Sequence, residues 1–154
     1  MAMTVLAVLP EAAELDFRIL ATDIDPNMVA DGIAGVYSAE ALDAAPPMLR
    51  NRFFDKATAQ GGDMLSANAT LRELVSFREL NLIGDWPMRH RFDVIFCRNV
   101  VIYFDDATQE RVWKRFTPLM SPGATLYIGH SERVSGSAVA QLTPAGLTTY
   151  RLAA

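Results

Sequence analysis

Short apolar runs and amphipathic stretches follow one another along the chain, as expected when strands alternate with helices. Apolar runs rich in β-branched and aromatic residues predict strands at residues 17–22, 75–80, 92–97, 124–129 and 147–152, with a shorter one at 64–67. This order predicts an α/β fold with a mostly parallel, doubly wound sheet. The last strand is expected to lie antiparallel beside the strand that precedes it.

Capping residues indicate where the helices begin and end. Asp25 is a good N-cap residue and Pro26 suits the first helical position, so a helix is predicted from Pro26 to about residues 31–34. Gly32 and Gly35 are expected to end it. Residues 1–9 are predicted to be the tail of an amphipathic helix that ends at Pro10. Further helices are predicted at 47–54 and after Asp105 or Asp106, where Val112, Phe116 and Met120 share one face.

The segment between the helix at Pro26 and the strand at 75–80 has a less regular pattern. Gly61 and Gly62 predict a turn within it. We expect the chain to form one domain over residues 1–154, with a small inserted subdomain at about 36–74.

The composition excludes several classes of protein. With 154 residues, of which 51% are hydrophobic, the chain can form the core of one domain. A net charge of −4 argues against a nucleic-acid binder, whose affinity depends on Lys and Arg. Residues 1–9 are apolar but too short to span a bilayer, so no membrane insertion is expected.

Cysteine and histidine usage indicates the compartment and argues against a metal centre. Cys97 is the single cysteine, which excludes an internal disulfide and fits a reducing cytoplasm. One cysteine and two histidines at these spacings do not make a metal site.

Polar side chains follow two of the predicted strands at their carboxyl ends, where open α/β sheets bind ligands. Asp23 follows the first strand, and Cys97, Arg98 and Asn99 interrupt the apolar run that begins at Phe92. An acid in the place of Asp23 is typical of one that accepts the ribose hydroxyls of a nucleotide-like cofactor. The alternative is a solvated or helix-capping aspartate.

Arg98 and Asn99 are stronger candidates, because a guanidinium beside a buried strand costs free energy unless it is paired or faces a ligand. The alternative for Arg98 is a salt bridge to a nearby aspartate. Tyr103 either points its hydroxyl into the same cleft or packs under the following helix. Cys97 is expected to be a small buried packing residue, since no neighbouring histidine supports thiolate chemistry.

Weaker candidates lie at two other strand ends. Asn81 and Leu82 follow a predicted strand, where an amide and the backbone suit the edge of a purine, although loop asparagines mostly form turns. His130 either lines the cleft or forms a structural hydrogen bond. His90 is expected to be solvated.

Several motifs together resemble those of the chemotaxis receptor methyltransferases of the CheR type. The matching segments follow in order along nearly the whole chain: ATDID at 21–25, GVY at 35–37, ELNL at 79–82, FDVIFCRNVVIYFD at 92–105, TQERVWKRFTPLMSPGATLYIGHSE at 108–132, and TTYRL at 148–152.

This resemblance implies a Rossmann-like class I methyltransferase sheet. It also implies methyl transfer from S-adenosylmethionine to glutamate side chains in the cytoplasmic domain of chemoreceptors, with S-adenosylhomocysteine as the product. The segment around 36–74 resembles the small β-subdomain that docks a receptor-tail peptide in some members of the family.

The resemblance further implies roles for a set of matched residues. Those similar to the family's cofactor-binding residues are Asp23 for the ribose, Asn81 and Leu82 for the adenine, and Cys97, Arg98 and Asn99 for the cleft. Arg98 and Tyr103 occupy the places of the family's active-site arginine and tyrosine.

The chain departs from the family pattern at its start. Family members have a helical domain, then a strand that leads into a Ser-Thr-Gly-Glu-Glu-Pro-Tyr-Ser loop, whereas the first residues of this chain resemble the helix that follows the loop. The first strand and the cofactor loop are therefore expected to be missing.

That departure keeps a second interpretation open, a non-catalytic, truncated methyltransferase-like domain that binds a receptor tail or a partner protein. A nicotinamide-dependent oxidoreductase also has an acid after its second strand. It is disfavoured because the chain has no Gly-x-Gly-x-x-Gly motif and because such an enzyme does not explain the Cys97-Arg98-Asn99 block.

Overall fold

A computed structural model describes residues 1–57 and 63–153, so the predicted turn at Gly61 and Gly62 lies outside the described residues. The chain divides into two compact units, residues 1–81 and 82–154. Within the described ranges, no helix combines the length and the apolar character needed to cross a membrane.

The first unit contains one parallel strand pair and one antiparallel sheet. Its elements are α1 (Ala2–Val8), β1 (Ile19–Asp23), α2 (Pro26–Ala34), β2 (Val36–Ser38), α3 (Pro47–Phe53), β3 (Phe54–Lys56), β4 (Met64–Ala67), α4 (Ala69–Glu73) and β5 (Val75–Glu79). Strands β1 and β5 pair in parallel, and β2, β4 and β3 form an antiparallel sheet in that order. Leu6 of α1, Phe53 of α3, Leu71 of α4 and Leu74 are buried together in its core.

Helix α2 begins as the sequence predicted and ends later than Gly32. The side chain of Asp25 accepts a hydrogen bond from the N–H of Asn27 at 2.8 Å, which confirms the N-cap. Gly35 has φ 64° and ends the helix, whereas Gly32 lies inside it. The prediction that Gly32 helps to end the helix was wrong. Its lack of a side chain is needed for packing, since a Cβ atom there would collide with the ring of Phe77 on β5.

The segment at 36–74 has more strand than its pattern indicated. The predicted strand at 64–67 is confirmed as β4, but β2 and β3 were not predicted. Both are only three residues long, too short for an alternating pattern to stand out.

The second unit contains one four-stranded sheet with helix α5 against it. Its elements are β6 (Phe92–Cys97), α5 (Asp106–Phe116), β7 (Met120–Ile128), β8 (Leu142–Gly146) and β9 (Thr149–Leu152). The strand order is β6-β7-β9-β8; β6 and β7 are parallel, and β9 is antiparallel to both β7 and β8. The predicted antiparallel position of the last strand is confirmed. The fold is mixed α/β, with antiparallel pairs beside the parallel ones.

The connection from α5 to β7 differs from the prediction. Helix α5 ends at Phe116, and Met120 is the first residue of β7 instead of part of the helix face. The ladder with β6 has an irregularity beyond Met120, which allows Pro122 inside a strand because no regular ladder bond is required there. Strand β8 was missed because Pro144 and Gly146 are poor strand formers.

The core of the second unit lies between α5 and one face of the sheet. Val112 and Trp113 of α5 pack with Leu126 and Ile128 of β7 and with Leu142 of β8, and each of these side chains is at most 1% exposed. Burial of this apolar surface is the main stabilisation of the unit, at roughly 25 cal/mol per Å² removed from water.

Replacing Gly32 by Ala tests the packing of α2 on β5. We expect net destabilisation, because overpacking against Phe77 costs about 1–3 kcal/mol, whereas replacing Gly inside a helix gains only about 0.5–1 kcal/mol. Urea unfolding followed by far-ultraviolet circular dichroism measures the difference. The double variant Gly32→Ala/Phe77→Leu is the control and should recover part of the loss. A Gly32→Ala chain as stable as the unsubstituted one would contradict the packing described.

Replacing Asp105 by Asn tests the N-cap of α5. The Asp105 carboxylate accepts the N–H of Thr108 at 2.7 Å, and this backbone hydrogen bond, with one from the Thr108 side chain, lowers the pKa of Asp105. A lowered pKa means that the carboxylate stabilises the fold above its unfolded pKa of about 3.9. That stabilisation is lost as the pH falls through the lower folded value.

Asn also caps helices, so the Asp105→Asn chain should keep most of its free energy of unfolding near neutral pH. When the pH is lowered below about 4, that free energy should fall less in Asp105→Asn than in the unsubstituted chain, because asparagine has no carboxylate to protonate. Tryptophan fluorescence during urea unfolding reports on this unit, since Trp86 and Trp113 both lie in it. Asp85→Asn, at an exposed position of the same unit, is the control. Identical acid sensitivity of the Asp105→Asn and unsubstituted chains would contradict the prediction.

Candidate functional site

A tight polar turn follows the carboxyl end of β6. Cys97 ends the strand in a buried position, Arg98 and Asn99 follow, and a 3₁₀ turn covers Val101–Tyr103. Asn99 has φ 59° and is the one non-glycine residue with a positive φ in the described part of the chain. Asparagine tolerates this conformation better than most residues, so Asn99 suits the place where the chain changes direction.

The carboxylate of Glu132 holds this turn from within. Its Oε1 accepts the N–H of Val100 at 2.9 Å and the N–H of Val101 at 3.1 Å, and its Oε2 accepts the N–H of Gly129. Glu132 is only 2% exposed. Hydrogen bonds to a charged acceptor are stronger than neutral ones, and a buried charge is tolerated only when it is hydrogen-bonded. The turn after β6 is therefore attached to the end of β7.

Gly129 allows the close approach of the two strand ends. A Cβ atom at this position would collide with Oδ1 of Asn99 and would lie 2.8 Å from Oε2 of Glu132. The side chain of Asn99 thus lies directly over the backbone of Gly129. The conformation of the polar turn depends on a residue without a side chain at the end of the neighbouring strand.

Cys97 is confirmed as a buried residue of the core, 5% exposed. Burial, and to a smaller extent the charge of Glu132, raises the pKa of its thiol to about 12. The thiol is therefore protonated at neutral pH and is not a nucleophile.

Arg98 and Tyr103 are both exposed on the turn, and Tyr103 is 81% exposed. The ion pairs among the described residues join Arg18 to Asp16 and Arg50 to Asp43, so Arg98 has no ion pair there. The alternative salt bridge of Arg98 is absent from this part of the chain. The alternative for Tyr103, packing under α5, is wrong because its side chain points into solvent.

In the first unit, Asp23 and Asn81 lie at the same edge of a parallel strand pair. Asp23 ends β1 and stands opposite Glu79, the last residue of β5, and its carbonyl accepts the N–H of Leu80 at 2.8 Å. Asn81 follows two residues after Glu79. One oxygen of the exposed Asp23 carboxylate accepts the N–H of Asp25 at 2.9 Å. The helix cap itself belongs to Asp25, as the sequence indicated.

Leu82 is the first residue of the second unit, and its carbonyl takes part in a polar and aromatic cluster. That carbonyl accepts one hydrogen bond from the Nε1–H of Trp86 and one from a guanidinium N–H of Arg115, each at 3.2 Å. The guanidinium of Arg115 lies 4.0 Å from the centre of the Trp86 ring, which in turn packs 5.1 Å from the ring of Phe116. Leu82 is therefore held in place by the core, with its side chain half-buried.

In the described part of the chain, neither the two histidines nor the surface depression adds residues to the candidate site. His90 and His130 are both exposed. Across the described ranges, no three His, Cys, Asp or Glu side chains are grouped so that they could hold a metal ion. An open depression of about 400 Å³ in the first unit is lined by residues outside the predicted site, namely Ala67, Ala69, Arg72 and Glu73.

Sequence reasoning missed that Glu132 is part of this candidate site. The sequence pattern predicted His130 as a candidate at the end of a strand, and Glu132, two residues later, was not considered. A glycine at a strand end followed by a carboxylate was a usable signal. Its partners, however, are the N–H groups of Val100 and Val101, more than thirty residues away.

Comparison with known proteins identifies the family. A family model described as CheR methyltransferase, SAM binding domain, matches residues 1–150. A probable chemotaxis protein methyltransferase of Rhizobium etli is 48% identical over 150 residues, which are 97% of this chain and 56% of that protein.

Two further relatives are similarly named. The chemotaxis protein methyltransferases of Klebsiella aerogenes and Escherichia coli are 40% and 35% identical, over 77% and 88% of this chain. The matched regions are 41% and 48% of those proteins, so the chain spans about half the length of the curated relatives it matches.

These matches confirm the resemblance read from the motifs, including S-adenosylmethionine as the cofactor for which the family is named. The chain belongs to the family of CheR methyltransferase SAM-binding domains.

Proposed function

We propose that this chain is the cofactor-binding part of a cytoplasmic protein-glutamate O-methyltransferase that acts on chemoreceptors. The observation that carries the proposal is the exposed guanidinium of Arg98, which has no ion pair among the described residues and follows a parallel strand of a CheR-family domain. An unpaired cation at a strand end suits an anionic substrate group. A glutamate carboxylate of a receptor is such a group.

The donor set fits S-adenosylmethionine. An ionised carboxylate has about four acceptor sites, and Asp23 uses one for the N–H of Asp25. We propose that the rest accept the ribose hydroxyls, and that Asn81 and Leu82 contact the adenine. Because the Cys97 side chain is buried, its contribution to the cofactor comes from its backbone, beside Asn99.

The methyl group that S-adenosylmethionine supplies is bonded to a sulfonium. In the transfer, a glutamate oxygen forms a bond to the methyl carbon while the carbon–sulfur bond breaks, and its electron pair goes to the sulfur to leave S-adenosylhomocysteine. The glutamate is already ionised near pH 7, with a pKa of about 4.3, so the protein needs no general base.

Catalysis then depends on alignment, which can contribute roughly 7–11 kcal/mol in well-oriented reactions. Arg98 orients the attacking carboxylate, since a guanidinium can bind both oxygens at once. The hydroxyl of Tyr103 donates a hydrogen bond to either the carboxylate or the cofactor and so holds it in position. Both side chains are presented by the one turn after β6.

We also propose that residues 1–154 are part of one S-adenosylmethionine-dependent methyltransferase domain, in which the segment at about 36–74 is a small inserted subdomain. The sheet β2-β4-β3 within that segment supports this division. We also propose that the free edge of β6 pairs with a further strand. In the described part of the chain β6 pairs only with β7, so its other edge is open to such a strand.

Titration with S-adenosylhomocysteine tests cofactor binding. We expect the chain to bind it, and Asp23→Asn to weaken binding about 10- to 100-fold, because each hydrogen bond to a charged group contributes about 1.5–3 kcal/mol. Isothermal titration calorimetry gives the affinity. Asp31→Asn removes the same charge from an exposed position on α2 and is the matched control. No heat with millimolar ligand would contradict the proposal and favour a non-catalytic binding domain.

Replacing Arg98 tests its role in the reaction. We expect Arg98→Ala to lower kcat/KM at least about 100-fold, because misplacing a reacting group by about 1 Å has effects of that size. Arg98→Lys should recover little, since an ammonium does not bind both carboxylate oxygens in a fixed plane. Transfer of labelled methyl from S-adenosylmethionine to a receptor cytoplasmic fragment is the measurement. Arg89→Ala, at an exposed position in the same unit, is the control. Unchanged kcat/KM in Arg98→Ala would exclude the assigned role.

A further inference from the structure

We infer that Glu132 is a positioning residue of this site, whose buried carboxylate holds the turn carrying Arg98, Asn99 and Tyr103 in the conformation used for methyl transfer. The catalytic importance of Glu132 rests on the proposed function, whereas its effect on the conformation of the turn does not. Glu132 contacts no reacting group in this assignment and acts through the backbone it anchors.

The anchored groups lie in the middle of the functional segment. Glu132 accepts the N–H groups of Val100 and Val101, at 2.9 and 3.1 Å. Arg98 comes two residues before Val100, and Tyr103 comes two residues after Val101. Because two consecutive amides between Arg98 and Tyr103 are held in place, the Cα atoms of both residues can move less.

The same carboxylate fixes the segment to a rigid part of the unit. Its second oxygen accepts the N–H of Gly129, directly after β7. Ile128, the last residue of β7, is fully buried and pairs in register with Cys97, the last residue of β6. The turn is thus attached to the strand ends and not to another loop.

A carboxylate suits these partners better than the neutral residue of the same shape. All three contacts are N–H donors, and an ionised carboxylate has acceptor sites only. The amide of a glutamine has one acceptor oxygen and one NH₂ donor. In Glu132→Gln at least one buried N–H would face a donor and lose its partner.

Two further features of the turn agree with this role. Asn99 has the positive φ of 59°, a conformation that persists when the surroundings determine it. Gly129 leaves space for the Asn99 side chain, since a Cβ atom there would collide with its Oδ1. The hydrogen bonds of Glu132, the positive φ of Asn99 and the glycine at position 129 therefore together determine the conformation of the turn.

The first experiment measures the turn itself by NMR in the whole 154-residue chain. In the unsubstituted chain we expect the amides of Val100 and Val101 to exchange slowly with solvent, although the neighbouring side chains are exposed. Glu132→Gln should speed their exchange and lower the heteronuclear Overhauser effects of residues 98–103. Fast exchange of these amides in the unsubstituted chain would overturn the inference.

A matched control separates positioning from general loss of stability. Val112→Ala removes buried volume from α5 in the core of the same unit, without a hydrogen bond to the turn. It should lower the melting temperature but leave the order of residues 98–103 unchanged. Glu132→Asp retains the charge on a side chain shorter by one methylene, which moves the carboxylate away from its three N–H donors. It should loosen residues 98–103 in the same way, and it serves as a second variant if Glu132→Gln does not fold.

The second experiment measures S-adenosylhomocysteine binding by calorimetry. We expect Glu132→Gln to weaken binding about tenfold or more, whereas Val112→Ala stays within about twofold, because small displacements of binding groups are costly. Equal affinities of Glu132→Gln and Val112→Ala would overturn the positioning role. If the unsubstituted chain does not bind the ligand, the proposed function fails instead, and the NMR measurement still decides whether Glu132 holds the turn.

Discussion

The N–H groups of Val100, Val101 and Gly129 all donate to the buried carboxylate of Glu132, and the polar end of the second unit depends on these hydrogen bonds. A charge that is 2% exposed is tolerated because its acceptor sites are used by backbone donors. The two parallel strands end in register beside it, Cys97 opposite Ile128. The geometry of the candidate site is therefore set by a group that is itself hidden from any ligand.

Close backbone approach recurs in both units, and a glycine makes it possible each time. Gly129 admits the Asn99 side chain at the ends of β6 and β7, and Gly32 admits the ring of Phe77 where α2 packs on β5. In each unit a polar group at a strand end is also exposed, Asp23 in the first and Arg98 in the second.

Membership of the CheR methyltransferase family supports the proposal that these groups serve one chemistry. A reaction between an ionised carboxylate and a sulfonium requires orientation more than proton transfer. In this proposal the thiol of Cys97, which is protonated and buried, has no chemical role, and the polar groups are those of Arg98 and Tyr103, exposed on the anchored turn. Cys97 contributes packing, and the turn it precedes contributes the polar groups.

The sequence by itself determined the features that depend on neighbouring residues. Capping of α2 by Asp25, capping of α5 by Asp105 or Asp106, and the apolar runs of β1, β5, β6 and β7 were all predicted, and the motifs identified the family. Each depends on side chains within a few residues of one another, so a linear pattern contains it. The wrong boundaries, at Gly32 and Met120, arose where packing outweighed local preference.

Only the tertiary structure decided the role of Glu132, the solvent exposure of Arg98 and Tyr103, and the existence of β8. Glu132 and Val100 are 32 residues apart, and no local pattern indicates that their atoms meet. Strand β8, with Pro144 and Gly146, forms because β9 provides its ladder partners. The sequence therefore determined which residue types are present at the strand ends, and the folded chain decided which of them are held, buried or exposed.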